Sequence, residues 1–199
     1  MKTTVIIPYR KDRGWLKKAI DSVPSWCELI IEQGNHNKAV NFNNAFKRAT
    51  GDIIKVLDED DILIEEGMIK QIKALEGYDC IHANAVCINK AGAKTGEYIP
   101  AVKNPTIDDM FKYNIIHNPT MIYRRSVFET LGGYDESLDK AEDYEYHLRC
   151  LSAGIKIGYC DAFVVYYREH RGQVSRVMKA QKKYYNKLIR RRYDTTHKG

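Results

Sequence analysis

Ile53-Ile54-Lys55-Val56-Leu57-Asp58-Glu59-Asp60-Asp61 sets an apolar, β-branched run directly against four consecutive acids. The run reads as a short buried strand, and Ile64, Met68, Ile72 and Leu75 recur behind it at helical spacing, ending near Gly77. In an open α/β sheet, ligands bind just beyond the carboxyl ends of the strands, which is where these acids fall. Crowded carboxylates repel one another, and a hard divalent cation relieves the repulsion through oxygen coordination. Acids opening a helix also complement its dipole, a reading that accounts for one or two of them and less well for four.

The same strand–helix alternation precedes this stretch. Thr4-Val5-Ile6-Ile7, stopped by Pro8, suits a buried parallel strand. Trp15, Leu16, Ala19, Ile20 and Val23 predict a helix ended by Pro24. Leu29-Ile30-Ile31 is a second strand, and Ala39, Phe42, Phe46 and Ala49 mark a second helical face closed by Gly51. Alternation at this spacing predicts βαβ units. The rest of the chain is mixed. Strands are expected at Ile81–Ile88, Glu97–Ile99, Thr120–Tyr123 and Phe163–Tyr167, and helices at Ser126–Leu131, Glu142–Ser152 and Gln173–Arg192. The expectation is one α/β, Rossmann-like domain, with a mostly parallel central sheet, a mixed second half and a basic C-terminal helix.

Composition narrows the classes. A chain of 199 residues, 44% hydrophobic and 29% charged, is an ordinary globular domain with little room for a second one. No apolar run reaches the roughly 18 residues of a membrane span, and Met1 to Thr4 leads straight into a strand, so no signal peptide is expected. Five cysteines without a Cys-x-x-Cys pair point to reduced thiols and a cytoplasmic setting. The net charge of +6 is unevenly placed. Residues 168–199 hold 11 Lys/Arg and 2 acids, leaving 21 bases against 24 acids in the rest. An acidic body argues against a nucleic-acid partner. The basic end interleaves Val177, Met178, Tyr184, Tyr185, Leu188 and Ile189 with its cations. It either packs on the body, lies on anionic lipid at the inner membrane face as a peripheral contact, or is a solvated end.

Two further groups carry chemistry. Glu142-Asp143 opens a helix in which Glu145 and Arg149 form an i,i+4 pair. This is an ordinary acidic first turn unless the fold sets it opposite the first acidic cluster, where a carboxylate would serve as general base. His170 with Arg168 and Arg171 suits a metal-diphosphate, the imidazole ligating the ion and the guanidiniums meeting phosphate oxygens; the plain alternative is an exposed basic loop. There is no Gly-x-x-x-x-Gly-Lys-Ser/Thr loop, no Gly-x-Gly-x-x-Gly turn and no Gly-x-Ser-x-Gly elbow. P-loop hydrolysis, hydride transfer and serine esterase chemistry lose ground.

Taken in order, the fragments resemble a family 2 glycosyltransferase of the GT-A fold, from Thr4 to about Ser175. Thr4 to Arg10 is similar to the opening strand and nucleotide-contacting turn, and Asn43 to Asp52 to the helix end that follows. Val56 to Asp61 stands in the place of the Asp-x-Asp signature, and Asn118 to Glu136 is similar to the stretch before the catalytic acid pair. Glu142-Asp143 matches that pair, and Tyr167-Arg168-Glu169-His170 looks like the closing Tyr-Arg-x-His segment. The resemblance implies a catalytic domain over residues 1–172, with a nucleotide-binding half to about residue 90 and an acceptor half beyond, then a basic tail over 173–199. It implies inverting sugar transfer from a UDP-, GDP- or dTDP-sugar to a glycan or lipid-linked acceptor. Asp143 would be the general base, and Asp60 and His170 would hold Mn²⁺ or Mg²⁺. Pro8, Tyr9, Arg10, Asp58, Glu142, Arg168 and Arg171 would contact the nucleotide-sugar. Asn43 belongs to the same set. Glu32 would contact the base, although the chain has Glu32-Gln33-Gly34-Asn35 where the family often shows Asp-Asp-Gly-Ser. Phe42 replaces a common arginine, so Lys38 would supply that charge. A sugar nucleotidyltransferase is the nearest enzymatic rival, but Pro8 to Arg13 lacks its Gly-rich loop. A non-catalytic membrane or nucleic-acid module using the tail is the other alternative.

Overall fold

A computed structural model describes residues 1–34, 36–112, 114–171 and 179–194, with side chains over 186–193 in the last stretch. Ser175 and Val174 to Met178, part of the expected C-terminal segment, lie outside the described residues. The first half alternates as expected: β1 (Thr3–Tyr9), α1 (Leu16–Asp21), β2 (Glu28–Gln33), α2 (Lys38–Phe46) and β3 (Ile53–Val56). Then come β4 (Ile62–Leu63), α3 (Glu65–Lys73), β5 (Cys80–Ile88), β6 (Lys94–Ile99) and α4 (Ile107–Lys112). A 3-10 turn (Asn118–Thr120), β7 (Ile122–Arg124), α5 (Arg125–Leu131), α6 (Glu142–Ser152), β8 (Ile157–Arg168) and α7 (Lys179–Asp194) complete the chain.

The strands form one sheet in the order β2-β1-β3-β7-β5-β8-β4, with β6 on β5. β1 pairs in parallel with β2 and β3, and β5 with β8; the β7, β6 and β4 pairings are antiparallel. Five strands therefore run one way, and the antiparallel members are β6 and β7 of the mixed second half, together with the short β4 at residues 62–63. Successive residues of the central strands enter opposite cores. Ile6, Ile54 and Val56 join an aromatic cluster with Phe42, Phe128, Tyr134 and Tyr146, whereas Val5, Ile7, Ile53 and Leu57 join an aliphatic one with Met68, Leu75 and Val164. Burial on both faces explains why β1 and β3 read as continuous apolar runs rather than alternating ones.

The structure adds features that the pattern did not show. β8 starts at Ile157 rather than Phe163, because its register against β5 shifts around Asn84, whose amide donates to Asp161. Polar residues at that irregularity interrupt the apolar signal. β4, two residues long, sits directly after the acids and pairs with Tyr166 and Val165 of β8. That hook sets the acidic turn beside the end of β8. α7 packs on the body: Ile189 is fully buried in the aromatic core. Among the described residues no helix is long and apolar enough to cross a membrane.

Helix α3 meets β8 at Gly67, where a Cβ would stand 1.8 Å from the Phe163 carbonyl oxygen. Gly67→Ala should therefore lower the thermal unfolding midpoint, although alanine is intrinsically better in a helix by about 1 kcal/mol. A raised midpoint would contradict this packing. Phe42→Ala, at a fully buried ring packed at a tilt against Phe128 and Tyr134, should cost about 3–5 kcal/mol in denaturant titration. Burial also holds His82 and His147 down, each to about 4 from an ordinary 6.5. Because the unfolded chain binds these protons more readily, the two rings contribute stability that grows with pH between about 4 and 6.5, opposing Glu59 and Glu142, which burial raises to about 7. His82→Leu should remove part of that growth relative to the native chain, and an unchanged pH slope in the variant would contradict the burial of this ring.

Candidate functional site

β3 ends in a tight turn in which the Asp61 N–H donates to the Asp58 carbonyl at 3.1 Å. One carboxylate oxygen from each of Asp58, Asp60 and Asp61 lies within 4.8 Å of the others. The end of β8 supports this turn from behind. The Arg168 N–H donates to Asp61 Oδ1 at 2.8 Å, its Nε to the Asp60 carbonyl at 2.7 Å, and its Nη1 to the carbonyls of Asn89 and Lys90. His170 Nε2 meets Asp60 Oδ2 at 2.8 Å, and its ring lies 4.8 Å from that of Trp15. Asp61 Oδ2 is buried with no hydrogen-bond partner. Three hard oxygen donors, one of them orphaned, are the donor chemistry that Mg²⁺ or Mn²⁺ prefers.

A second support comes from α2. Asn37 caps this helix, its Oδ1 accepting from the Val40 N–H at 3.0 Å, and so sets Lys38 at the first helical position. A cation there opposes the helix dipole. The Lys38 ammonium pairs with Asp58 instead. Burial would pull Lys38 down, but the carboxylates of Asp58 and Glu142 lift it well above its ordinary value. Burial raises Asp60 and Asp61, and the neighbouring carboxylates add to the rise; His170 counteracts it at Asp60. Burial and the flanking Asp60 and Asp58 push Glu59 up to about 7.

Lys38, Asp58, Glu59 and Asp60 open onto a cleft of about 680 Å³. Pro8, Tyr9 and Arg10, at the end of β1, form one side, and Asp58, Glu59 and Asp60 form the floor. Residues 114–119 and the segment 139–143 form the facing walls. Glu142 and Asp143 thus line the same cleft as the acidic turn. Burial and Asp143 push Glu142 up to about 7, against the pull of Lys38. Helix α6 begins at Ala141, whose φ of 62° lies in the left-handed region and which supplies no side-chain cap.

The structure brings together Pro8, Tyr9, Arg10, Lys38, Asp58, Asp60, Glu142 and Asp143, with His170 behind Asp60. The other expected contacts are used differently. Glu32 does not line the cleft; its carboxylate pairs with Arg48 at the far end of α2. Asn43 fastens α2 to a distant turn, donating to the Tyr134 carbonyl and accepting from the Tyr134 N–H, both at 2.9 Å. It occupies a different helical face from Lys38 and Asn41, which do reach the cleft. The Arg168 guanidinium is buried against backbone carbonyls and acts as a buttress rather than lining the cleft. Arg171 is exposed and lies outside the cleft lining.

Three cleft features escaped the sequence reading. Asn41 binds the carbonyls of Tyr9 and Gly34, holding the ends of β1 and β2; its signal is a polar residue between Ala39 and Phe42 on an apolar face. Lys55, fully buried in β3, donates to the Pro119 carbonyl, and burial brings its ammonium down to about 7. A lysine inside an apolar strand was its signal. His117, which lines the cleft beside Asn118 and Tyr167, had none at short range.

The chain has many relatives. Over 145 residues it is 28% identical to "Uncharacterized glycosyltransferase MJ1057" of Methanocaldococcus jannaschii, covering 70% of this chain and 50% of that one. It is 30% identical over 145 residues to "O-antigen chain rhamnosyltransferase WbaN" of Salmonella anatum, covering 66% and 46%. The chain spans about half the length of the curated relatives it matches. Among solved structures, S. aureus TarS 1-349 in complex with UDP-GlcNAc superposes with a TM-score of 0.68 at 16% identity, over 87% of this chain and 60% of that one; at this identity the likeness establishes the fold. The family model "Glycosyl transferase family 2" matches residues 25–132, more than half of the sequence, and includes both the acidic turn and the Asn118 wall. The chain belongs to glycosyl transferase family 2.

Proposed function

We propose that the cleft transfers a sugar from a nucleoside-diphosphate donor to a hydroxyl of a glycan or lipid-linked acceptor, with inversion at the anomeric carbon. One observation carries this reading: the acidic turn and the Glu142–Asp143 pair share one cleft, with Lys38 between them. The binding of UDP-GlcNAc by the structurally similar TarS supports a nucleotide-sugar donor.

In this reading, the Pro8–Arg10 side holds the nucleotide and the walls at 114–119 and 139–143 hold the acceptor. Asp58, Asp60 and Asp61 would hold Mn²⁺ or Mg²⁺, with His170 orienting Asp60. When bound, the ion supplies Lewis-acid stabilisation of the departing diphosphate. Asp143 takes the proton from the acceptor hydroxyl as its oxygen bonds to the anomeric carbon. The bond from that carbon to the phosphate oxygen breaks, and its electron pair leaves with the nucleoside diphosphate. Lys38, held beside Asp58 and Glu142, would offer its ammonium to the diphosphate charge. The exposed cations of α7 extend the proposal to a peripheral contact at the cytoplasmic face of a membrane, where a lipid-linked acceptor would lie.

Two measurements test the reading. A nucleoside diphosphate with Mn²⁺ should raise the thermal midpoint of the native chain, and Asp60→Ala should abolish the metal-dependent part; an equal shift in that variant would remove Asp60 from the ligand set. Asp143→Asn should keep donor affinity in calorimetry while transfer falls by roughly 10²–10⁴-fold. Undiminished transfer would exclude Asp143 as the base.

A further inference from the structure

We propose that α7 is a brace for the base-bearing wall of the cleft, with Arg190 as its positioning residue; the catalytic part of this inference rests on the function proposed above. The start of α6 is poorly held by its own sequence. Ala141 takes a left-handed conformation that residues other than glycine disfavour and offers no capping side chain, leaving the first turn with the Asp143 Oδ1 that accepts the Tyr144 N–H at 2.8 Å. Glu142, Asp143 and Glu145 crowd its first turn. Their attraction to the helix dipole is offset by mutual repulsion.

α7 supplies the missing restraint from behind. Arg190 Nε donates to the Tyr144 hydroxyl at 3.1 Å, and Arg190 Nη2 donates to the Lys112 carbonyl at 3.2 Å. The Tyr144 hydroxyl in turn donates to the Met110 carbonyl at 2.9 Å. Tyr144 follows Asp143 directly, and Lys112 ends α4 two positions before Asn114 in the opposite wall. One guanidinium therefore joins the two chain segments that lead into the acceptor-side walls, a task that suits arginine's rigid fork of donors. Neighbouring contacts act in the same direction. The Tyr193 hydroxyl donates to Glu145 at 2.6 Å, Arg192 pairs with Asp135 at 2.6 Å, and Ile189 is buried in the aromatic core. Glu145 is also held by Arg149, which donates to the Leu131 carbonyl. Through these contacts α7 fixes where Asp143 points and how far the 114–119 wall stands from it.

The test combines hydrogen exchange with turnover in the full chain. In Arg190→Met, amide exchange should quicken about tenfold over 142–147 and 114–119 while β1 and β3 stay unchanged. The transfer kcat should fall roughly 10- to 100-fold with the donor KM preserved, as expected when a reacting group is slightly misplaced. Arg190→Lys should recover part of both effects. Tyr193→Phe, which loses a single hydroxyl, should move both the same way to a smaller extent, and it decides the question should Arg190→Met fail to fold. Lys73→Gln, at an exposed position of α3 outside the cleft lining, should change neither. Unchanged exchange at 142–147, or a uniform rise across the whole sheet, would overturn the brace. Should the native chain transfer no sugar from any donor tried, the functional reading fails, and the exchange pattern alone decides the brace.

Discussion

Three carboxylates held within 4.8 Å of one another, largely out of water, are the constraint around which this molecule is organised. Left alone they would repel and protonate, and burial does push Asp60 and Asp61 upward. Each surrounding element brings a compensating group. The β4 hook aligns the turn with β8, whose end supplies the Arg168 N–H and the His170 ring. The capped start of α2 supplies Lys38, accepting an unfavourable dipole position in exchange for the Asp58 pair. An orphaned oxygen on Asp61 leaves the compensation incomplete, which is the state expected of a ligand site rather than a finished salt-bridge network.

The mixed sheet converts that local problem into a cleft. The parallel strands β1 and β3 end on the same edge, so the Pro8–Arg10 turn and the acidic turn face one space. The antiparallel return through β7 and the helices that follow close the space with a second acidic pair. Lys55 links the halves underneath, reaching from β3 to the Pro119 carbonyl in the opposite wall. α7 links the two walls of the second half from outside. The cleft is therefore framed on one side by the sheet and on the other by segments that depend on side-chain tethers.

What could be read from sequence follows from range. β1, β3 and α2 were legible because two-sided burial and helical periodicity are written in consecutive residues. The Asp58–Asp61 cluster and the start of α6 were legible for the same reason, as local exceptions to that pattern. β4 was not, because two residues carry no period, and β8 began six residues early because exposed, polar Asp161, paired with Asn84 at a register shift, breaks the apolar run. Glu32, Asn43 and Arg168 were placed in the site by order along the chain. The partners they meet in the fold lie 16, 91 and 108 positions away, which no local pattern announces. Conversely, Lys55 and Asn41 broke the apolar pattern for a structural reason that only the folded arrangement reveals.

The most direct test of this account is a crystal structure of the full chain grown with Mn²⁺ and a nucleoside diphosphate, with the metal located by its anomalous scattering. The account predicts a single strong manganese peak among Asp58, Asp60 and Asp61, with the nucleotide along the Pro8–Arg10 side of the same cleft. A nucleotide seated outside that cleft, or manganese bound away from the acidic turn, would contradict it.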